Sequence, residues 1–188
     1  MEVGPLLERC REGDALAWEA LVRRYQGRVY SVAFQYLHNR EEATDLAQEV
    51  FVKVYRKLDG FAGGDGFLPW LLRLTRNAAI DRLRRIKARP PAEDLPVEEA
   101  YELASPGDDP ETASARVERA RLVHRALAGM DSGSREIILL KEIQGLEINE
   151  IAAMLGAPVG TVKSRSHRAR IELARAVLSL DPSYGGCG

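Results

Sequence analysis

Apolar side chains in this chain recur at helical rather than strand spacing. Trp18, Leu21, Val22, Tyr25, Val29, Val32, Ala33 and Tyr36 follow steps of three and four, which places them along one face of a helix. Asp14 stands where its N-cap is expected. A second helix is expected after Asn39, with Glu42 as the reciprocal partner of a capping box, through Leu46, Val50, Val54 and Leu58. Gly60, Gly63, Gly64 and Gly66 end it. A third is expected from about Phe67 to Lys87, stopping before Pro90 and Pro91. Four more are expected near 112–129, 134–143, 147–155 and 159–178. β-Branched residues rarely alternate with polar ones over four positions, so the expected fold class is all-α.

Composition adds less than the distribution of charge. The 188 residues are 45% hydrophobic and only 6% aromatic, enough for one domain or two small ones with aliphatic cores. The 27 Lys and Arg against 28 Asp and Glu give a net charge of −1, which on its own argues for no polyanionic partner. Residues 71–91, however, hold Arg73, Arg76, Arg82, Arg84, Arg85, Lys87 and Arg89 against Asp81 alone, a balance of +6. Residues 92–118 stand at −8, and residues 156–175, with Lys163, Arg165, Arg168, Arg170 and Arg175 against Glu172, at +4. Two basic blocks therefore flank an acidic one.

The acidic block contains Pro90, Pro91, Pro96, Pro106 and Pro110 and few large apolar residues. It buries too little surface to offset the entropy of ordering and reads as a flexible linker. The expected organisation is a helical domain over 10–89, a linker over 90–114 and a second helical domain over 115–178. Ten of the twelve aromatic residues lie between Trp18 and Trp70, so the two domains are built differently.

The second domain carries a helix-turn-helix pattern. In Ile148–Lys163, small Ala152 allows close helix approach and Gly156 supplies the turn, while Ile151, Leu155 and Val162 pack between the helices. Pro158 suits the first turn of the second helix, where its missing N–H is not needed. That helix then presents Thr161, Lys163, Ser164, Arg165, His167, Arg168 and Arg170. Arg and Lys at its N-terminal half can reach guanine edges or phosphates in a major groove. His167 reads equally as a base contact or a neutral surface residue, and Arg170 and Arg175 as phosphate contacts or solvated charges.

In the first domain, Asp45-Leu46-Ala47-Gln48-Glu49-Val50-Phe51, Phe67-Leu68-Pro69-Trp70-Leu71 and Arg76-Asn77 through Arg85 resemble region 2 of bacterial sigma-70 family factors. Gly160-Thr161-Val162-Lys163-Ser164-Arg165 through Arg170 resembles their region 4. The two-domain layout is similar to the short extracytoplasmic-function group. The resemblance implies a factor that binds core RNA polymerase, at the β′ clamp helices and the β flap, and directs transcription from particular promoters. It implies polymerase contacts at Asp45, Gln48, Glu49 and Phe51, and −10 DNA contacts at Gly64, Asp65, Phe67, Arg73, Arg76, Asn77, Asp81 and Arg84. It places −35 contacts at Thr161, Lys163, Ser164, Arg165, His167 and Arg168, and implies an anti-sigma partner and a cytoplasmic location.

The residues themselves are compatible with those roles. Asp45, Gln48 and Glu49 fall at i, i+3 and i+4 and share one helix face, which is also what a plain solvated acidic face looks like. Opening a duplex needs cations along the backbone and a surface for an unstacked base. Arg73, Arg76, Arg84 and Arg85 supply charge, with Asn77 and Asp81 one turn apart. Phe61, Phe67 and Trp70 read either as stacking platforms or as helix-anchoring core, and Asn77 as a base contact or a loop anchor. The 62–66 loop and Pro69 depart from the common family pattern, which leaves the −10 preference open. Glu147 stands where Ser or Thr commonly caps, so a weaker cap is expected there. A linker of about 25 residues spans at most about 80–90 Å, more than two turns of DNA at about 34 Å each.

Other classes fit less of the chain. Gly63-Gly64-Asp65-Gly66 superficially resembles the metal-binding signature of diguanylate cyclases, but it lies between helices and the residues that should follow are absent. No HExxH, P-loop or triad spacing occurs, so neither an enzyme nor a cofactor is expected. A stand-alone helix-turn-helix regulator accounts for 130–178 and leaves the 45–85 block without a role. Cys10 and Cys187 form no paired motif. No signal peptide is visible and no stretch approaches the roughly 20 apolar residues of a membrane span.

Overall fold

The computed structural model of the protein describes residues 3–63, 66–87 and 110–185. Gly64, Asp65, most of the expected linker and Cys187 lie outside them. The chain divides into two compact units, Met1–Glu98 and Glu99–Gly188. Among the described residues there are helices and no strands.

The first unit contains α1 (Val3–Arg11), α2 (Ala15–Leu37), α3 (Arg40–Lys57), a 3-10 turn (Leu58–Gly60) and α4 (Phe67–Lys87). Asp14 caps α2 by accepting from the N–H groups of Leu16 at 2.9 Å and Ala17 at 3.1 Å. Asn39 caps α3 through the N–H of Glu42 at 3.0 Å. Between them His38 takes a left-handed conformation, φ 50°, and closes α2 with an N–H bond to Phe34. The periodic positions enter one core: Leu21, Val29, Leu46, Val50, Val54, Leu58, Phe67 and Leu71 are all essentially inaccessible. α2 packs on both α3 and α4, and α3 on α4.

The sequence pattern does not announce α1. It is two turns long, contains Pro5, and shows only Leu6, Leu7 and Cys10 as a buried side. Its burial comes from α2, onto which it packs, and it extends this core to residues before position 10. Cys10 belongs to that core, where burial pushes its thiol pKa up.

The second unit contains α5 (Pro110–Ala128), α6 (Ser132–Ile138), a π-helical turn (Leu139–Ile143), α7 (Ile148–Leu155), α8 (Val159–Leu180) and a short 3-10 turn (Pro182–Gly185). α5 begins at Pro110, inside the segment read from the sequence as linker. The helix expected over 134–143 instead widens into the π turn, where the N–H of Gln144 bonds the carbonyl of Leu139 at 2.9 Å. α5, α6 and α7 each pack on α8. Leu127, Met130, Ile138 and Ala169 form one buried cluster. Asp131 caps α6 through the N–H of Ser134 at 2.9 Å.

Candidate nucleic-acid interface

On α3, Asp45, Gln48 and Glu49 are exposed on one side while Leu46, Val50 and Val54 face the core. Phe51, expected on the docking face, is instead 7% exposed and meets Trp18 edge-on at 6.5 Å. Its position is shifted from the Asp45–Glu49 face toward α2, so it supports α3 from beneath. Glu49 is not a free carboxylate. Arg82 of α4, itself only 18% exposed, donates to Glu49 and also to Glu42 at 2.6 Å. Glu42 was expected to complete a capping box; its carboxylate is spent on Arg82.

On α4, Arg73, Asn77, Asp81, Arg84 and Arg85 are exposed and Arg76 is half-buried. Positions 73, 76, 77, 81 and 84 form a stripe at three- and four-residue steps, and the buried side is Leu71, Leu72, Thr75, Ala78 and Ala79. Thr75 satisfies its buried hydroxyl by donating to the carbonyl of Leu71 at 2.9 Å. Phe67 is fully buried between Tyr25 at 5.2 Å and Phe61 at 5.8 Å. In the structure this enclosed ring presents no face to a base, and its packing anchors the start of α4. Trp70 is half-buried against Phe61 at 4.8 Å, part of the same cluster.

In the second unit, α7 ends at Gly156, whose φ of 64° places it in the left-handed region that glycine tolerates. The N–H of Ala157 returns to the carbonyl of Ala152 at 3.0 Å. Pro158 serves as the N-cap of α8, not as its first turn; its carbonyl accepts from Thr161 at 2.9 Å and Val162 at 3.1 Å. The weak cap expected at Glu147 is compensated, because its N–H donates to the Glu150 carboxylate at 2.7 Å. Along α8, Val162, Ser166 and Ala169 are buried, which turns Lys163, Ser164, Arg165, His167 and Arg168 outward and leaves Thr161 half-buried. Ser164 donates to the carbonyl of Thr161 at 3.1 Å, and Arg168 lies 3.5 Å from the Ser164 hydroxyl. Arg170 is held by Glu142 of the π turn at 2.7 Å.

The first unit thus offers an acidic helix face and a cationic one, and the second a cationic helix at the front of a helix-turn-helix. Among the described residues, no group of three His, Cys, Asp or Glu side chains is placed to hold a metal. Cationic helix faces together with a helix-turn-helix define the class of DNA-binding proteins.

Residues 21–89 match the family model for Sigma-70 region 2, and residues 120–173 that for Sigma-70, region 4. The RNA polymerase sigma-H factor of Pseudomonas aeruginosa is 35% identical over 180 residues, 93% of each chain. The ECF RNA polymerase sigma-E factor of Escherichia coli K12 is 38% identical over 180 residues, 93% of this chain and 94% of that one. Among solved structures, CnrH in complex with the cytosolic domain of CnrY superposes with a TM-score of 0.63 at 30% identity, covering 94% of this chain and 96% of that one. RpoE of Bartonella quintana, solved with the anti-sigma factor NepR, shares the fold with a TM-score of 0.65 at 23% identity, over 87% and 97% of the two chains. The chain belongs to the sigma-70 family, in its extracytoplasmic-function group. It binds core RNA polymerase and directs promoter-specific transcription initiation, and it is not an enzyme. A stand-alone helix-turn-helix regulator would leave the match over 21–89 without a purpose.

Proposed function

We propose that each surface contacts one component of the initiation complex. The Asp45–Gln48–Glu49 face of α3 docks on the β′ clamp helices. The α4 stripe, Arg73, Arg76, Asn77, Asp81 and Arg84, together with Gly64 and Asp65 of the preceding loop, reads and opens the −10 element. Thr161, Lys163, Ser164, Arg165, His167 and Arg168 read the −35 element, and the second unit also meets the β flap. The acidic and proline-rich segment that begins at Pro90 and precedes α5 tethers the two units across the promoter.

One observation supports this assignment above others: cationic side chains are concentrated on the outer sides of α4 and α8, while acidic ones line the outer side of α3. DNA phosphates favour the first two and repel the third. An anti-sigma factor holds the protein inactive until it is needed; RpoE of Bartonella quintana, which shares the fold, was solved bound to the anti-sigma factor NepR, and CnrH bound to the cytosolic domain of CnrY. No helix among the described residues is long and apolar enough to cross a membrane, and the protein works in the cytoplasm, where polymerase and promoters are. Reconstitution with core polymerase followed by transcription from mapped promoters tests the assignment. Separate defects are expected from α3 variants in polymerase capture and from α8 variants in −35 dependence. Identical defects from both would refute it.

A further inference from the structure

We infer that Arg11, in the α1 helix, is a positioning residue for −10 recognition: its guanidinium pins the root of the loop that precedes α4 and so sets the loop's base preference. The inference rests on the assignment of that loop to the −10 element made above.

Arg11 precedes Leu58 by 47 residues and Phe61 by 50, yet it reaches the backbone of both. Its Nε donates to the carbonyl of Leu58 at 3.3 Å, and one terminal nitrogen donates to the carbonyl of Phe61 at 2.5 Å. These carbonyls belong to the 3-10 turn that ends α3 and to the first residue beyond it. Carbonyls at the end of a helix lack intrahelical donors and carry the negative end of its dipole, so a cation there is favourable. The planar fork of arginine also fixes two carbonyls relative to each other, which a single ammonium does not.

The consequence falls on the loop. The Phe61 backbone is held by Arg11 and its N–H bonds the Leu58 carbonyl at 3.1 Å. Its ring is held by Trp70 at 4.8 Å and Phe67 at 5.8 Å, both in the first turn of α4. The backbone and ring of Phe61 are therefore held relative to Phe67 and Trp70 at the start of α4. Ala62 and Gly63 pass beside α1, where they line a shallow hollow with Gly4, Leu7, Glu8 and Arg11. Arg11 itself is exposed and adds little to the core. Its two bonds go to the backbone carbonyls of Leu58 and Phe61, so their loss frees the Phe61 backbone more than it opens the core.

The test uses the full-length protein with core polymerase on a promoter library randomised over the −10 element with a constant −35 element. Arg11→Gln should relax the −10 preference, removing at least about threefold of the penalty that a mismatched base pair carries. Polymerase affinity and −35 preference should stay unchanged. Arg11→Lys, which keeps the charge but bridges the two carbonyls poorly, should fall between wild type and Arg11→Gln and guards against a simple failure to fold. Asp65→Ala serves as the loop control. An unchanged −10 profile in both Arg11 variants, with Asp65→Ala altering it, overturns the role of Arg11 alone. No change in any of the three overturns the loop assignment as well. Equal loss across all promoters, following a lower melting temperature, makes Arg11 merely structural and also overturns the proposal.

Discussion

A terminal guanidinium nitrogen of Arg82 lies 2.6 Å from a carboxylate oxygen of Glu42, joining α4 to α3 across 40 residues of sequence. Its second terminal nitrogen donates to Glu49 on the same helix. Arg82 sits in the most basic block of the chain and looks, from sequence, like one more cation for DNA. It is instead the bolt between the two helices. Arg82→Ala should destabilise the first unit by about 1–3 kcal/mol, the range for hydrogen bonds to charged groups whose partners are left partly buried. Denaturant unfolding of the variant measures this, and a loss below about 0.5 kcal/mol would show that the pair is only a surface contact.

The same relationship separates two residues that the sequence treats alike. Asp45→Lys changes an exposed side chain and should weaken polymerase capture by about tenfold or more, roughly 1.4 kcal/mol, without altering the melting temperature. Glu49→Lys sets a cation against Arg82 and should lower both. Competition for core polymerase, paired with thermal melts, distinguishes them. Wild-type capture by Asp45→Lys would remove α3 from the docking surface.

On α8, Arg165→Ala and Arg168→Ala should each cost about 1–3 kcal/mol in −35-dependent transcription if they make bidentate base contacts. Arg170→Ala should act weakly and without sequence preference, because Arg170 is already engaged by Glu142. Transcription from promoters with substituted −35 elements reads the difference. Unchanged dependence for Arg165→Ala and Arg168→Ala would contradict their assignment.

Burial pushes the pKa of His124 on α5 down to about 4, from an ordinary value of 6.5. Between those values the unfolded chain binds a proton that the folded unit does not, so stability rises with pH through that window. The second unit should be fully stable above about pH 6.5 and lose stability progressively as pH falls toward 4. His124→Gln should flatten this slope, as followed by melts at several pH values. Asp131 contributes separately and at lower pH: its carboxylate accepts N–H groups at the start of α6, which hold its pKa below 3.8. An unaltered slope in His124→Gln would show that another group carries it.

The sequence by itself determined most of the local structure. Helical periodicity marked α2, α3, α4, α7 and α8, and Asp14 and Asn39 marked two caps, because these depend on residues within a turn of each other. The helix-turn-helix was legible for the same reason: Ala152, Gly156 and Val162 act within one short segment. Charge by segment was legible as well, since a balance of −1 resolves into two basic blocks around an acidic one. What only tertiary structure decided is which charges and rings remain available. Arg82, Arg170 and Arg11 find partners 28 to 50 residues away, and no local pattern encodes such a meeting. Phe51 reads as a polymerase contact by resemblance, and Phe67 as either a stacking platform or core, until packing against α2 encloses both. α1 is too short to declare itself and gains its burial from a neighbour. Local periodicity selects the helices, whereas the contacts between them decide which of their side chains are left to meet polymerase and DNA.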